Sequence, residues 1–305
     1  AEDNDYPGTL SKPALTDILR DELGFEGLIV SDSYRMGALQ GISDNAGLAR
    51  IGVQAGLDIV LMPRSVSDTF NGIRNAVISE EITEARIDES VRRILAAKTM
   101  VGLHENRTID IEEMRATVWH EDHVALSEEI GAQTLAVGKN TNNALPIGKS
   151  EKVMLVTLDG NSTIFYRDPP SHFSDAFIDM VPNTDLTEVF GTASSDQRDA
   201  LVAAAEEYDR IVLASVIWGP FAYSSHNSLV NALAATDTPV VYVSFGSPYH
   251  INNIPDVDAY LCGFSSHFGT QKAAPAVLTG DVEADASWPV DAGFENERTQ
   301  LMLVD

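Results

Sequence analysis

The sequence is short of cations, of cysteine and of long apolar runs. Its 305 residues hold 46 acidic side chains but only 20 basic ones, six of them lysine (Lys12, Lys98, Lys139, Lys149, Lys152, Lys272), giving a formal charge of −26. So negative a surface repels phosphate backbones, and no cluster of Lys and Arg with interleaved aromatics relieves it. Nucleic acid is therefore not an expected partner, nor is an anionic membrane surface. The acids are spread over both halves of the chain rather than gathered in a tail. Two readings stay open: adaptation to high salt, where ions screen the mutual repulsion of carboxylates, or an ordinary acidic, soluble protein.

The single cysteine, Cys262, lies in the apolar run AYLCGF. It cannot form an intrachain disulfide and reads as a buried core thiol. No stretch reaches the roughly 18 apolar residues a membrane-spanning helix needs. The first 25 residues lack the basic start and apolar middle of a signal peptide, which leaves the compartment open. Phosphate-cradling motifs are absent too. There is no GxGxxG after a strand and no GxxxxGK[ST], so a dinucleotide oxidoreductase, which the α/β pattern alone would permit, has no motif behind it. No organic cofactor and no metal are expected. His120 and His123 stand at i, i+3 on an expected helix, but no third ligand has suitable spacing. These two and His250 read as surface histidines.

With 44% hydrophobic residues the chain can bury a sizeable core. Its length exceeds the roughly 100–200 residues of one domain. Short β-rich apolar runs alternate with helical patterns, which points to the α/β class and a parallel sheet. In the first third, Ser11 is placed to cap a helix with Pro13 in its first turn and Gly24 at its end. Strands are expected at 27–32 (GLIVSD) and 58–63 (DIVLMP). Helices are expected at 45–55, 67–79 and 83–100, the last with Ile87, Val91, Ile94 and Leu95 at helical spacing. Residues 104–117 read as a polar, irregular linker leading into a helix at 119–131. Further strands are expected at 134–138, 152–158, 210–217, 239–245 and 257–263, with helices at 172–181, 196–207, 226–235 and 268–279. That second part describes an open doubly wound sheet of complete size. Two strands alone cannot close a barrel, so residues 1–103 read as the end of something larger.

The chemistry points first to Asp32. It ends an apolar strand, and the carboxyl ends of parallel strands are where ligands and catalytic groups collect. The competing reading is that Asp32 or Ser33 caps the next turn. His226 and His267 fall in strand-to-helix loops, where helix capping is the leading reading for both. Trp218 and Tyr223 could stack on a sugar ring or fill a sheet edge.

The segments YPGTLSKPALTDILRDELGFEGLIVSDSYRMGAL, ARIGVQAGLDIVLMP and ARIDESVRRILAAKTMVGL together resemble the last quarter of the barrel domain of glycoside hydrolase family 3. The resemblance is nearest to its β-N-acetylglucosaminidase branch. It continues through SEEIGAQTLAVGKN and VLTGDVEADASWPVDAG. It implies the C-terminal part of a (β/α)8 TIM-type barrel over 1–103, with its last two strands and their helices. A linker and helix would follow over 104–131, and an α/β/α sandwich domain over 132–305.

The resemblance also implies a retaining glycosidase that removes terminal β-linked N-acetylglucosamine, or a related β-hexose, from oligosaccharides by double displacement. Asp32 would be the nucleophile, with Ser31, Ser33, Arg35, Met36 and Met62 lining the sugar subsite. Arg35 could equally pair with a surface acid. In that branch a histidine on an earlier barrel loop is the acid/base, and a Lys-His-Phe-Pro-Gly-His type segment grips the sugar. Neither occurs in this sequence, and no glutamate matches the second-domain acid of the β-glucosidase branch. The alternative is a non-catalytic glycan- or partner-binding module of the same descent. The partner would be a missing N-terminal barrel segment or a second copy of the chain. Alone, such a fragment would expose apolar strand faces and is expected to aggregate, dimerise or rearrange.

Overall fold

The computed structural model describes residues 6–159, 170–217, 220–284 and 286–292, with backbone alone at 159 and 220–225. The chain divides into two compact units, Ala1–Ile111 and Glu112–Asp305.

The first unit is built on two short extended segments joined in parallel. Val30 bridges Ile59, and flanking bonds run from Asp58 N–H to Ile29 O (2.8 Å), Ser31 N–H to Ile59 O (3.0 Å) and Tyr34 N–H to Leu61 O (3.0 Å). Both lie where the apolar runs GLIVSD and DIVLMP place strands. Around them stand α1 (Asn45–Ala55), α2 (Val66–Ile78) and α3 (Glu84–Met100), each started by a side-chain cap: Asp44, Ser65 and Thr83. Gly56 closes α1 at φ +121°, a conformation that favours glycine. Leu10, Ile29, Tyr34, Leu39, Leu48 and Leu57 form the core.

Two expectations change here. The helix foreseen after Ser11 runs as a wide π-type helix over Pro13–Glu22, although the Ser11 hydroxyl still accepts the Ala14 N–H at 3.3 Å. On α3, Val91 (44% exposed) and Leu95 (55%) face outward, while Ser90 is the buried residue. Val30, Leu61 and Met62 are also exposed.

The second unit opens with α4 (Ile111–Val118) and α5 (Glu121–Thr134). The polar stretch read as irregular thus contains a helix, whose Ile111, Met114 and Val118 share one face at i, i+3 and i+7 and whose Glu112–Arg115 pair lies on the surface. A six-stranded sheet follows: β1 (Ala136–Asn140), β2 (Val153–Asp159), β3 (Thr184–Phe190), β4 (Arg210–Ser215), β5 (Val240–Ser244) and β6 (Ala259–Cys262). Its order is β1-β6-β5-β4-β2-β3, with β1 antiparallel at one edge and the remaining neighbours parallel. Strand β3 escapes the sequence reading because an edge strand needs little apolar surface. Among its residues Val189 alone is buried.

Alternate side chains of the central strands feed two cores. Met154, Val156, Ile211, Leu213, Tyr242 and Tyr260 point to one face, packing with α7 (Ser195–Ala204), α8 (Pro220–Ala234) and Trp288. Val153, Leu155, Val212, Val241 and Leu261 point to the other, against α6 (Ser171–Met180) and α9 (Phe268–Leu278). Each such fully buried side chain contributes about 1.5–3 kcal/mol. The fold class is α/β, and this unit is an α/β/α sandwich. Cys262 lies within it, fully buried, and burial pushes its thiol pKa up to about 12.

Candidate active site

Alternation along the first extended segment decides what each side chain meets. Ile29 and Ser31 are buried, whereas Val30 and Asp32 are exposed on the opposite face. The Ser31 hydroxyl accepts the Leu61 N–H at 2.8 Å and so clamps the two segments together. Asp32 Oδ1 accepts the Ser33 N–H at 2.6 Å, and the Ser33 hydroxyl accepts the Arg35 N–H at 3.2 Å. These bonds fix a tight turn just past the strand end. The second carboxylate oxygen of Asp32 makes no hydrogen bond among the described residues.

Tyr34 anchors that turn. It is 2% exposed, its hydroxyl donates toward Leu48 O at 3.4 Å, and burial pushes its pKa up to about 12. Gly52 makes room for it, since a Cβ there would lie 2.2 Å from the Tyr34 hydroxyl oxygen. Met36 and Met62 are about half exposed, at 48% and 52%. Met62 holds φ +46°, an uncommon conformation for a side-chain-bearing residue and one found where backbone is turned for a site. Arg64, two residues on, donates to the Arg35 carbonyl at 3.3 Å. Strand pairing thus brings Asp32, Ser33, Arg35, Met36 and Met62 to the two carboxyl ends, while Ser31 turns inward.

At the opposite end lies a group the sequence reading missed. The side chain of Asp58, wholly buried, accepts from Ile29 N–H and Arg20 (both 3.0 Å), Ser90 Oγ (2.5 Å) and Arg93 (3.1 Å), with Arg86 at 3.7 Å. Burial would raise its pKa, but the Ile29 N–H, the Ser90 hydroxyl and Arg93 outweigh it and hold the carboxyl below the usual range. The signal was present as Arg86, Ser90 and Arg93, a polar stripe at i, i+4 and i+7.

The histidines of the second unit take other places. His267 is the N-cap of α9, as expected, and its Nδ1 lies 2.8 Å from Ser127 Oγ. His120 caps α5 rather than lying within it. His226 is a buried residue inside α8, not a cap, because the helix starts at Pro220, six residues earlier than foreseen. His250, expected at the surface, is fully buried. Its Nε2 lies 2.9 Å from Asn227 Oδ1 and its Nδ1 2.9 Å from the Tyr242 hydroxyl, which is 2.6 Å from Ser215 Oγ. Trp218 and the side chain of Tyr223 lie outside the described residues. A groove of about 680 Å³ between α5 and the start of α9 is lined by Trp119, His123, Leu126, Ile130 and Phe268. No group of three His, Cys, Asp or Glu able to hold a metal occurs among the described residues. None of the described helices is long and apolar enough to cross a membrane.

Residues 1–97, which hold the strand pair and Asp32, match the model of the glycosyl hydrolase family 3 N terminal domain. The first third of the chain is thus similar to glycosyl hydrolase family 3. Among curated relatives, a β-N-acetylglucosaminidase/β-glucosidase of Cellulomonas fimi is 26% identical over 311 residues, spanning 94% of this chain and 53% of its own length. A β-xylosidase of Formosa agariphila is 30% identical over 167 residues, covering 52% of this chain and 23% of its own. The chain thus spans about half the length, or less, of these relatives. Among solved structures, a family 3 β-N-acetylglucosaminidase from Paenibacillus sp. str. FPU-7 superposes with a TM-score of 0.81 at 22% identity, over 94% of this chain and 55% of that one. This likeness shows the fold, an α/β architecture shared along nearly the whole chain.

Proposed function

We propose that the chain carries the nucleophile-bearing part of a retaining family 3 glycosidase acting on β-linked sugars, with terminal β-N-acetylglucosamine as the preferred residue. The observation that carries this is the placement of Asp32. It stands exposed at the carboxyl end of a parallel segment in the family 3 region, with one carboxylate oxygen engaged by Ser33 N–H and the other open to attack. Such a carboxylate can displace the leaving group at the anomeric carbon and form a glycosyl-enzyme that water then opens. Residues 1–103 would be the last two βα units of the barrel, 104–131 a linker and helix, and 132–305 the sandwich domain. Met36 and Met62 would flank the sugar, and Ser33 would orient the nucleophile. The name of the Cellulomonas fimi relative supports the choice of sugar.

Double displacement needs a second group about 5–5.5 Å from the nucleophile when that group is a carboxyl. The second reading is a non-catalytic module of the same descent, which binds a glycan or completes a barrel supplied by another polypeptide. Exposed Val30, Leu61 and Met62 beside Asp32 suit that role. Asp32→Asn in the barrel-complete enzyme should lower turnover of a nitrophenyl β-N-acetylglucosaminide by about 10³-fold or more with melting unchanged. Turnover within tenfold of the parent would sink the assignment. Assaying the 305-residue chain alone, then with the complementing segment, separates the two readings.

A further inference from the structure

The chain contains two N-x-[ST] triplets, Asn106-Arg107-Thr108 and Asn161-Ser162-Thr163. The second lies outside the described residues. The first stands in the connection between α3 and α4, and all three of its residues are exposed. Such a triplet acquires chemical meaning from its setting, a surface loop in which the asparagine amide can be reached. Here the loop is also fixed. Gly102, at φ +73°, turns the chain after α3, and its carbonyl accepts the N–H groups of Glu105 and Asn106, both at 3.0 Å. The Asn106 side chain then closes an Asx turn: its Oδ1 accepts the Thr108 N–H at 3.0 Å and the Thr108 hydroxyl at 2.9 Å.

Two donors on one carbonyl oxygen draw density from the amide and make an Nδ2 proton easier to remove. The Asn106 Nδ2 itself makes no hydrogen bond among the described residues. Met100, Val101, Leu103, Ile109 and Ile111 flank the triplet and are all exposed, by 41% to 82%, so a bulky hydrated group attached here would shield apolar surface. We propose that Asn106 is an attachment site for an N-linked glycan. The co-reactant is an oligosaccharide carried on a lipid pyrophosphate. Asn106 Nδ2 attacks its anomeric carbon and an N–C bond forms. The C–O bond to phosphate breaks, the lipid pyrophosphate leaves with the electron pair, and the Nδ2 proton passes to a base of the transferase. Attachment places residues 104–110 outside the cytosol for part of the life of the chain. It rests on nothing at Asp32.

The test is site-resolved mass spectrometry of two samples. One is the protein isolated from its own cells; the other is the purified, folded chain incubated with an oligosaccharyltransferase and a lipid-linked oligosaccharide. In both, the peptide that holds Asn106 should be heavier by a sugar chain, and Asn161 is read on a separate peptide. Arg107→Pro and Thr108→Ala should each abolish the gain, because they break the triplet and leave Asn106 in place, whereas Arg107→Ala should keep it. The folded chain should be modified at least as fast as the same chain in urea, since the fold already holds the turn. A bare Asn106 in the native protein, modification confined to the unfolded chain, or a gain that survives Thr108→Ala would overturn the proposal. None of these variants touches the segment of Asp32, so the outcome is independent of the glycosidase reading.

Discussion

The carboxylate of Asp58 accepts the backbone N–H of Ile29 at 3.0 Å, tying the amino end of one extended segment to the other. Arg20, Arg86, Arg93 and Ser90 hold the same carboxylate, so a buried charge sets the register that places Asp32 three residues beyond Ile29.

Removing that charge should be costly, because three partly buried arginines would lose their common partner. Asp58→Ala is expected to destabilise the first unit by about 3 kcal/mol, with Asp58→Asn intermediate. Urea unfolding followed by a probe in residues 6–111 would measure it. A loss under 1 kcal/mol would mean the arginines are satisfied by water. The carboxyl is depressed below its unfolded value, so its contribution is complete above the ordinary aspartate range and lost as pH falls through the folded pKa.

Helices α5 and α9 meet through glycines. A Cβ on Gly131 would lie 2.5 Å from the Gly269 carbonyl carbon, and one on Gly269 would lie 2.3 Å from Ser127 O. Backbone on both sides leaves nothing flexible to yield. Gly131→Ala and Gly269→Ala should each cost about 1–3 kcal/mol and widen the helix spacing. A neutral effect of either on the thermal midpoint would show that the crossing is looser than it stands here.

Acid should act through His250. Burial, with His226 nearby, lowers its pKa from 6.5 to about 3. Asn227 Oδ1 requires the Nε2 proton and Tyr242 donates to Nδ1, an arrangement that suits the neutral ring. The unfolded chain gains a proton near pH 6.5 that the folded chain refuses until about pH 3. Second-unit stability should fall by about 1.4 kcal/mol per pH unit across that window, and His250→Gln should flatten the slope. Denaturant midpoints at pH 7 and pH 4 for the two proteins supply the comparison, and equal slopes would remove the assignment.

Salt should act in the other direction. With a formal charge of −26, screening that shrinks from about 10 Å in 0.1 M salt to about 3 Å in 1 M should relieve repulsion and raise the melting temperature. A melting temperature that does not rise would remove the high-salt reading of the acidic surface.

The sequence by itself determined the local features. Capping residues Asp44, Ser65 and Thr83 start helices where they stand, Gly56 ends one, and short continuous apolar runs mark the central strands. It also placed Asp32 at a strand end, because strand, turn and helix signals depend on neighbours a few residues apart. Long-range needs decided the rest. On α3 the stripe turned inward is Arg86, Ser90 and Arg93 rather than one carrying Val91 and Leu95, because buried Asp58 must be matched by partners wherever they lie in the chain. Strand β3 forms because β2 offers an open edge, not because TDLTEVF is apolar. His250 sits in the core because Tyr242 and Asn227 close around it from separate elements. Arg35 and Arg64, 29 residues apart, become neighbours only when their segments pair.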